Sequence, residues 1–95
     1  MSLRQGVYTV QHKINDRFVD AYESSDRDFA VVTRDPQNND SQRWVFMPLG
    51  NDTYTIQQLS NGRFMDAYES SDRDFAVVTR DPQNNDSQRW AIKPS

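Results

Sequence analysis

A string of 25 residues, DAYESSDRDFAVVTRDPQNNDSQRW, occurs twice, letter for letter, at residues 20–44 and again at residues 66–90, a fixed offset of 46. The flanks keep the same offset: Tyr8-Thr9-Val10-Gln11 answers Tyr54-Thr55-Ile56-Gln57, Arg17-Phe18 answers Arg63-Phe64, and Trp44-Val45-Phe46 answers Trp90-Ala91-Ile92. Two copies of one sequence must fold as two copies of one structural unit, and any surface site made by one is offered by the other. A bivalent binder is therefore expected before a single catalytic pocket.

Each copy reads as four short strands. The first copy has runs rich in β-branched and aromatic residues at 7–11, 17–22, 29–34 and 42–47; the second has them at 53–58, 63–68, 75–80 and 88–93. Between them lie turn-forming stretches, Asn15-Asp16, residues 24–28, residues 35–41 with their Pro, Asn and Asp, and the connector at 48–52. No window sustains a helical period, so the fold class is all-β. At 95 residues the chain is at most one ordinary domain, read as 1–95 with repeat 1 at 1–49 and repeat 2 at 50–95.

The apolar content sets a limit on self-sufficiency. Only 35% of residues are hydrophobic, below the usual globular share even with the three Gly added, and there is no Cys to crosslink a small fold. That deficit points to association with further chains. Net charge is −3 with Arg interspersed among Asp, whereas phosphate binding needs clustered cations, so nucleic acid is not an expected partner. The start of the chain lacks the apolar run of a signal peptide and no stretch is long enough to span a bilayer, so a soluble protein, cytoplasmic by default, without membrane insertion is expected.

Four strands in about 46 residues, closing on Gln42-Arg43-Trp44 and Gln88-Arg89-Trp90, with Asp20 and Asp66 after the apolar end of the second strand, resemble the repeat of the ricin B-type (QxW) lectins. The likeness covers nearly the whole chain, and residues 2–8 are similar to the first strand of fungal members. It implies a β-trefoil, with Trp44 and Trp90 as core anchors whose indole N–H needs an acceptor. Gln42 and Gln88 are expected to satisfy backbone groups of the preceding loop. A trefoil has three such units and this chain has two. Closure then requires more chains, with a domain-swapped homotrimer of six units favoured over a dimeric four-unit ring or a shortened piece of a longer parent. Duplication of recent or engineered origin leaves the same signature.

The resemblance implies carbohydrate binding at one shallow site per repeat, without a cofactor or a metal. In that reading Asp20 and Asp66 accept hydrogen bonds from sugar hydroxyls, Tyr22 and Tyr68 supply the ring on the same strand face, and Asn39, Asn85, Gln42 and Gln88 supply amides. Two departures stand out. Arg34 and Arg80 occupy the place of the usual stacking aromatic, and Ser41 and Ser87 the place of a common Asn. Arg grips a carboxylate where it cannot stack on an apolar sugar face, which suits an acidic glycan. An ion pair of Arg34 with Asp20 or Asp40 that fixes a loop is the other reading.

The remaining constellations carry less. Residues 35–40 lack the Gly and distal Glu of a calcium loop, His12 has no repeated counterpart, and glycoside hydrolysis needs two carboxyls across a deep cleft. The chain is expected not to be an enzyme. A trefoil-type protein-interaction module such as a protease inhibitor, or an engineered sugar-silent scaffold, stays open as an alternative to a lectin.

Overall fold

The computed structural model describes residues 3–94; Met1, Ser2 and Ser95, the ends of the expected domain, lie outside the described residues. Eight strands follow in order: β1 (Gly6–Tyr8), β2 (Phe18–Ala21), β3 (Val31–Arg34), β4 (Trp44–Gly50), β5 (Thr53–Gln58), β6 (Phe64–Ala67), β7 (Val77–Arg80) and β8 (Trp90–Ala91). The class is all-β, with four strands per repeat and short 3₁₀ turns at Ser25–Arg27, Asp40–Gln42, Ser71–Arg73 and Asp86–Gln88.

Most strands are shorter than expected, for local reasons. Phe29 and Phe75 sit at φ of 52° and 51°, in a left-handed turn with Asp28 and Asp74, so they precede the third strand of each unit. Gln42 and Gln88 end a 3₁₀ turn, which delays the fourth strand to the Trp. The connector is tighter than a loop. β4 runs to Gly50 at φ 97°, and Asn51 and Asp52, both left-handed, turn the chain directly into β5.

Four strands form one antiparallel row. β1 pairs with β4 (Tyr8↔Trp44), β4 with β5 (Phe46↔Ile56) and β5 with β8 (Tyr54↔Trp90). The β1/β4 and β5/β8 registers are the same pairing at the 46-residue offset. The hairpins β2–β3 and β6–β7 repeat each other likewise, as Phe18↔Arg34 and Phe64↔Arg80. Strand alternation drives the inward faces together: Ala21, Trp44, Phe46 and Ile56 form the buried core, and Tyr8, Val19, Val31, Met65, Trp90 and Ile92 pack against it. Each Trp indole donates to the carbonyl of the residue before the motif Asp, Trp44 Nε1 to Val19 and Trp90 Nε1 to Met65, both at 3.0 Å.

Identical sequence is not identically buried. Trp44 is fully enclosed and Trp90 is not; Val78 and Thr79 are buried while Val32 and Thr33 are half-exposed; Phe29 is partly covered while Phe75 is 59% exposed. The sheet runs from β1 through β4 and β5 to β6 and β7, and β8 also pairs with β5. Between the two repeats, on the side left open, lies a cavity of about 680 Å³ with apolar walls.

Candidate functional site

The polar cluster of each repeat forms where the second and third strands meet. Asp20 pairs across the hairpin with Val32, and Asp66 with Val78. The expectation that these carboxylates face solvent is corrected: both are fully buried. Asp20 Oδ1 accepts the Ala21 N–H at 2.7 Å, and Asp66 Oδ1 accepts that of Ala67 at the same distance. Asp66 Oδ2 also accepts Gln88 Nε2 at 3.1 Å. Asp20 Oδ2 has no partner among the described residues.

In each repeat an arginine lies over a tyrosine ring, and in the second it also approaches the buried carboxylate. The Arg34 guanidinium lies 4.5 Å from the Tyr22 ring centroid and Arg80 lies 4.4 Å from that of Tyr68. A second cation approaches each ring, Arg27 at 5.4 Å and Arg73 at 5.2 Å. Arg80 Nη1 also stands 3.7 Å from Asp66 Oδ1. Asp66, Tyr68 and Arg80 are thus brought together in the second repeat, where the tyrosine reaches its carboxylate through the arginine; in the first, Tyr22 and Arg34 meet over the hairpin that buries Asp20. Each tyrosine face serves first as a platform for a cation.

The amides divide. Gln42 Nε2 donates to Asp35 O at 2.9 Å and its Oε1 accepts the Gln37 N–H at 3.0 Å; Gln88 does the same with Asp81 and Gln83. The brace for the preceding loop is as expected. The further expectation that Gln42 and Gln88 offer amides to a ligand is corrected, because both side chains are buried with their amide atoms already used. Asn39 and Asn85 remain exposed, each receiving the hydroxyl of Ser41 or Ser87 on Oδ1. Asn85 and Gln88 line a small cavity of about 210 Å³ with Leu49, Phe64 and Arg89, which Asp66, Tyr68 and Arg80 do not line. The expected pair of Arg34 with Asp40 is corrected too: Asp40 takes Arg43 at 2.8 Å, as Asp86 takes Arg89.

Sequence reasoning passed over Arg27 and Arg73, because the left-handed turn at Asp28-Phe29 that folds the loop back has no Gly to announce it. It also passed over Arg17 and Arg63. Each clamps its hairpin, Arg63 through Nη2 to Thr79 O at 2.7 Å and Nε to Thr79 Oγ1 at 3.1 Å, and Arg17 equivalently to Thr33.

The family model described as ricin-type beta-trefoil lectin domain-like matches residues 2–79 and, in a second alignment, residues 40–95. The chain belongs to this family. Its fold is shared with a designed 3-fold symmetric protein, ThreeFoil, at a TM-score of 0.77 and 21% identity, over 95% of this chain and 66% of that one. The protein of the PSL1a-E64 complex is similar at 0.80 and 21%, over 97% of this chain and 36% of its own. Polyporus squamosus lectin bound to the human-type influenza-binding epitope Neu5Aca2-6Galb1-4GlcNAc is similar at 0.83 and 20%, over 100% and 35%. The likeness establishes a β-trefoil fold. This chain spans about two thirds of the designed protein and about a third of the other two. No curated protein matches the sequence.

Proposed function

We propose that this chain is a glycan-binding protein without catalytic activity, with one shallow site per repeat built on Asp20, Tyr22 and Arg34 and on Asp66, Tyr68 and Arg80. Membership of a lectin-like family supports the class of ligand. The observation that carries the sites is the stacked arginine, at 4.5 Å over Tyr22 and 4.4 Å over Tyr68. Holding a guanidinium over a ring removes freedom that a ligand would otherwise have to freeze, and its N–H groups suit a planar anion. The buried Asp stands behind as an acceptor, in the first repeat with Oδ2 still unused. Asn39 and Asn85 add exposed amides at the loop. The ligand class this suits is an acidic glycan, gripped through the carboxylate of a sialic or uronic residue. Polyporus squamosus lectin was solved with a sialylated trisaccharide, which favours the same class here.

An array carrying neutral, sialylated and uronic glycans tests this reading. The wild-type chain is expected to retain acidic glycans, and the double variant Arg34→Ala/Arg80→Ala, shown by circular dichroism to be folded, is expected to lose them. Each site should weaken by about 1.5–3 kcal/mol, the scale of hydrogen bonds to a charged partner. Equal binding of the acidic spots by both proteins contradicts the proposal.

A further inference from the structure

Each repeat carries arginines at four matching positions, Arg17, Arg27, Arg34 and Arg43 in the first and Arg63, Arg73, Arg80 and Arg89 in the second. Two of each set are neutralised. Arg17 pairs with Asp35 at 3.2 Å and Arg43 with Asp40 at 2.8 Å, and the second repeat keeps both pairs, Arg63 with Asp81 at 3.3 Å and Arg89 with Asp86 at 2.8 Å. The other two converge on a tyrosine. Arg27 and Arg34 stand 5.4 and 4.5 Å from the Tyr22 ring centroid, and Arg73 and Arg80 stand 5.2 and 4.4 Å from that of Tyr68. Among the described residues, Arg27, Arg34 and Arg73 have no carboxylate within ion-pair distance, and Arg80 has only Asp66 at 3.7 Å.

The loop that carries Arg27 is built to bring it back to the ring. The Tyr22 N–H donates to the Ala30 carbonyl at 2.9 Å and closes the loop at its neck, while inside it the Asp28 N–H donates to Ser25 O at 3.0 Å and the Ala30 N–H to Arg27 O at 3.1 Å. Asp28 and Phe29 turn the chain through left-handed backbone, at φ of 54° and 52°, which costs a bulky aromatic free energy. The second loop repeats this, with the Tyr68 N–H on Ala76 O at 2.9 Å and Asp74 and Phe75 at φ of 54° and 51°. Strain of this kind persists where the surrounding structure holds it. Here it returns the cation at the end of each 3₁₀ turn, Arg27 or Arg73, to the tyrosine that opens the loop.

Two like charges therefore share one ring. Because both lie against the same centroid, the two guanidinium groups of a repeat are at most about 10 Å apart, a range over which salt screens their repulsion only in part. The ring offsets some of that repulsion by cation–π attraction. Asp26 and Asp28 flank Arg27 in the chain, yet among the described residues neither forms an ion pair with it, and Asp28 instead accepts the Tyr68 hydroxyl. The pair has one member half-buried on the strand and one exposed on the loop. A single carboxylate suits one guanidinium, which it takes through two parallel hydrogen bonds. Two guanidinium groups suit a ligand with two anionic groups.

We propose that Arg27 and Arg73 are specificity-determining residues of the two glycan sites, and that the ligand is a doubly acidic saccharide, with one carboxylate at Arg34 or Arg80 and a second anionic group at Arg27 or Arg73. The proposal rests on the reading of those sites as glycan-binding. A sulfate ester and the carboxylate of a neighbouring acidic sugar both supply the second group. Both present oxygens that a guanidinium takes in pairs, and both fall within reach on one disaccharide.

Isothermal titration of the full chain with three disaccharides tests this: one with a single uronic carboxylate, the same disaccharide bearing a sulfate ester, and a diuronate. The wild type is expected to hold a doubly acidic sugar at least about tenfold tighter than the singly acidic one, the scale of one further hydrogen bond to a charged group. Which of the two gains shows the source of the second anion. In the double variant Arg27→Gln/Arg73→Gln, shown by circular dichroism to be folded, that preference is expected to vanish, and Arg27→Lys/Arg73→Lys is expected to restore part of it. A wild type that holds all three sugars equally overturns the proposal, as does an Arg27→Gln/Arg73→Gln protein that keeps the preference. Either result leaves the sites around Arg34 and Arg80 standing, whereas a wild type that binds none of the three overturns both readings.

Discussion

Trp44 and Trp90 make the same hydrogen bond at the same distance in the same local sequence, and differ in what covers them. Replacing each by Ala therefore isolates the energy of the cover. Burying a large aromatic removes about 150–250 Å² from water, worth about 4–6 kcal/mol at 25 cal/mol per Å², and measured Trp→Ala losses centre on about 3–5 kcal/mol. Trp44 is fully enclosed, so Trp44→Ala should lose that full amount. Trp90 faces the open cavity, so Trp90→Ala should lose about 1–2 kcal/mol less, in proportion to the area it already exposes. A chain of 95 residues holds about 5–14 kcal/mol at the usual stability per residue, so the variants show a folded baseline where the wild type stands above about 8 kcal/mol, which its own urea curve decides first. Urea unfolding followed by far-ultraviolet circular dichroism gives the two midpoints at a common slope. Equal losses for the two variants, or a larger loss for Trp90→Ala, would refute the link between the open side and the burial difference.

Other consequences are local. Gln42→Ala strips the Asp35 carbonyl and the Gln37 N–H of their partner and should lower stability by about 1–3 kcal/mol, read from the urea midpoint, with glycan affinity unchanged. Gly62 stands at φ 74° where its counterpart Asp16 stands at 59°, so Gly62→Asp should be nearly neutral while Gly62→Val should cost about 1–2 kcal/mol, as thermal melts would show. Asp72 is held below the ordinary carboxylate value chiefly by the Ser70 hydroxyl, against desolvation, with lesser help from its own backbone N–H, the Arg73 charge and the Arg73 backbone N–H. Its depressed folded value contributes stability above the unfolded value that is lost as pH falls through the folded one. Carbon-detected titration should place its midpoint below the unfolded value, and Ser70→Ala should move it upward.

The unit was legible because its cues agree. A period of 46 residues, four β-rich runs per period and a Gln and Trp closing each run name one architecture, and Trp44, Trp90, Gln42 and Gln88 take the structural roles their chemistry suggested. The site was less legible for a physical reason. Asp20 and Asp66 are as polar as any surface residue in the string, and nothing in the one-dimensional order tells that both will be buried, each with Oδ1 taken by the next backbone N–H. Phe29 and Phe75 read as strand residues because aromatic rings favour strands; their left-handed backbone follows from the loop that precedes them. The open side is the feature that sequence reasoning inferred by counting units, while the difference in cover between Trp44 and Trp90 required coordinates.

The central claim is that each repeat carries one glycan site built around its arginine. Isothermal titration of the wild-type chain with the acidic glycan it prefers, set beside Arg34→Ala alone, measures this directly. Two equivalent sites per chain are expected for the wild type and one for the single variant, with the remaining site at unaltered affinity. A single site per chain, or two sites that both persist in the Arg34→Ala protein, would contradict it.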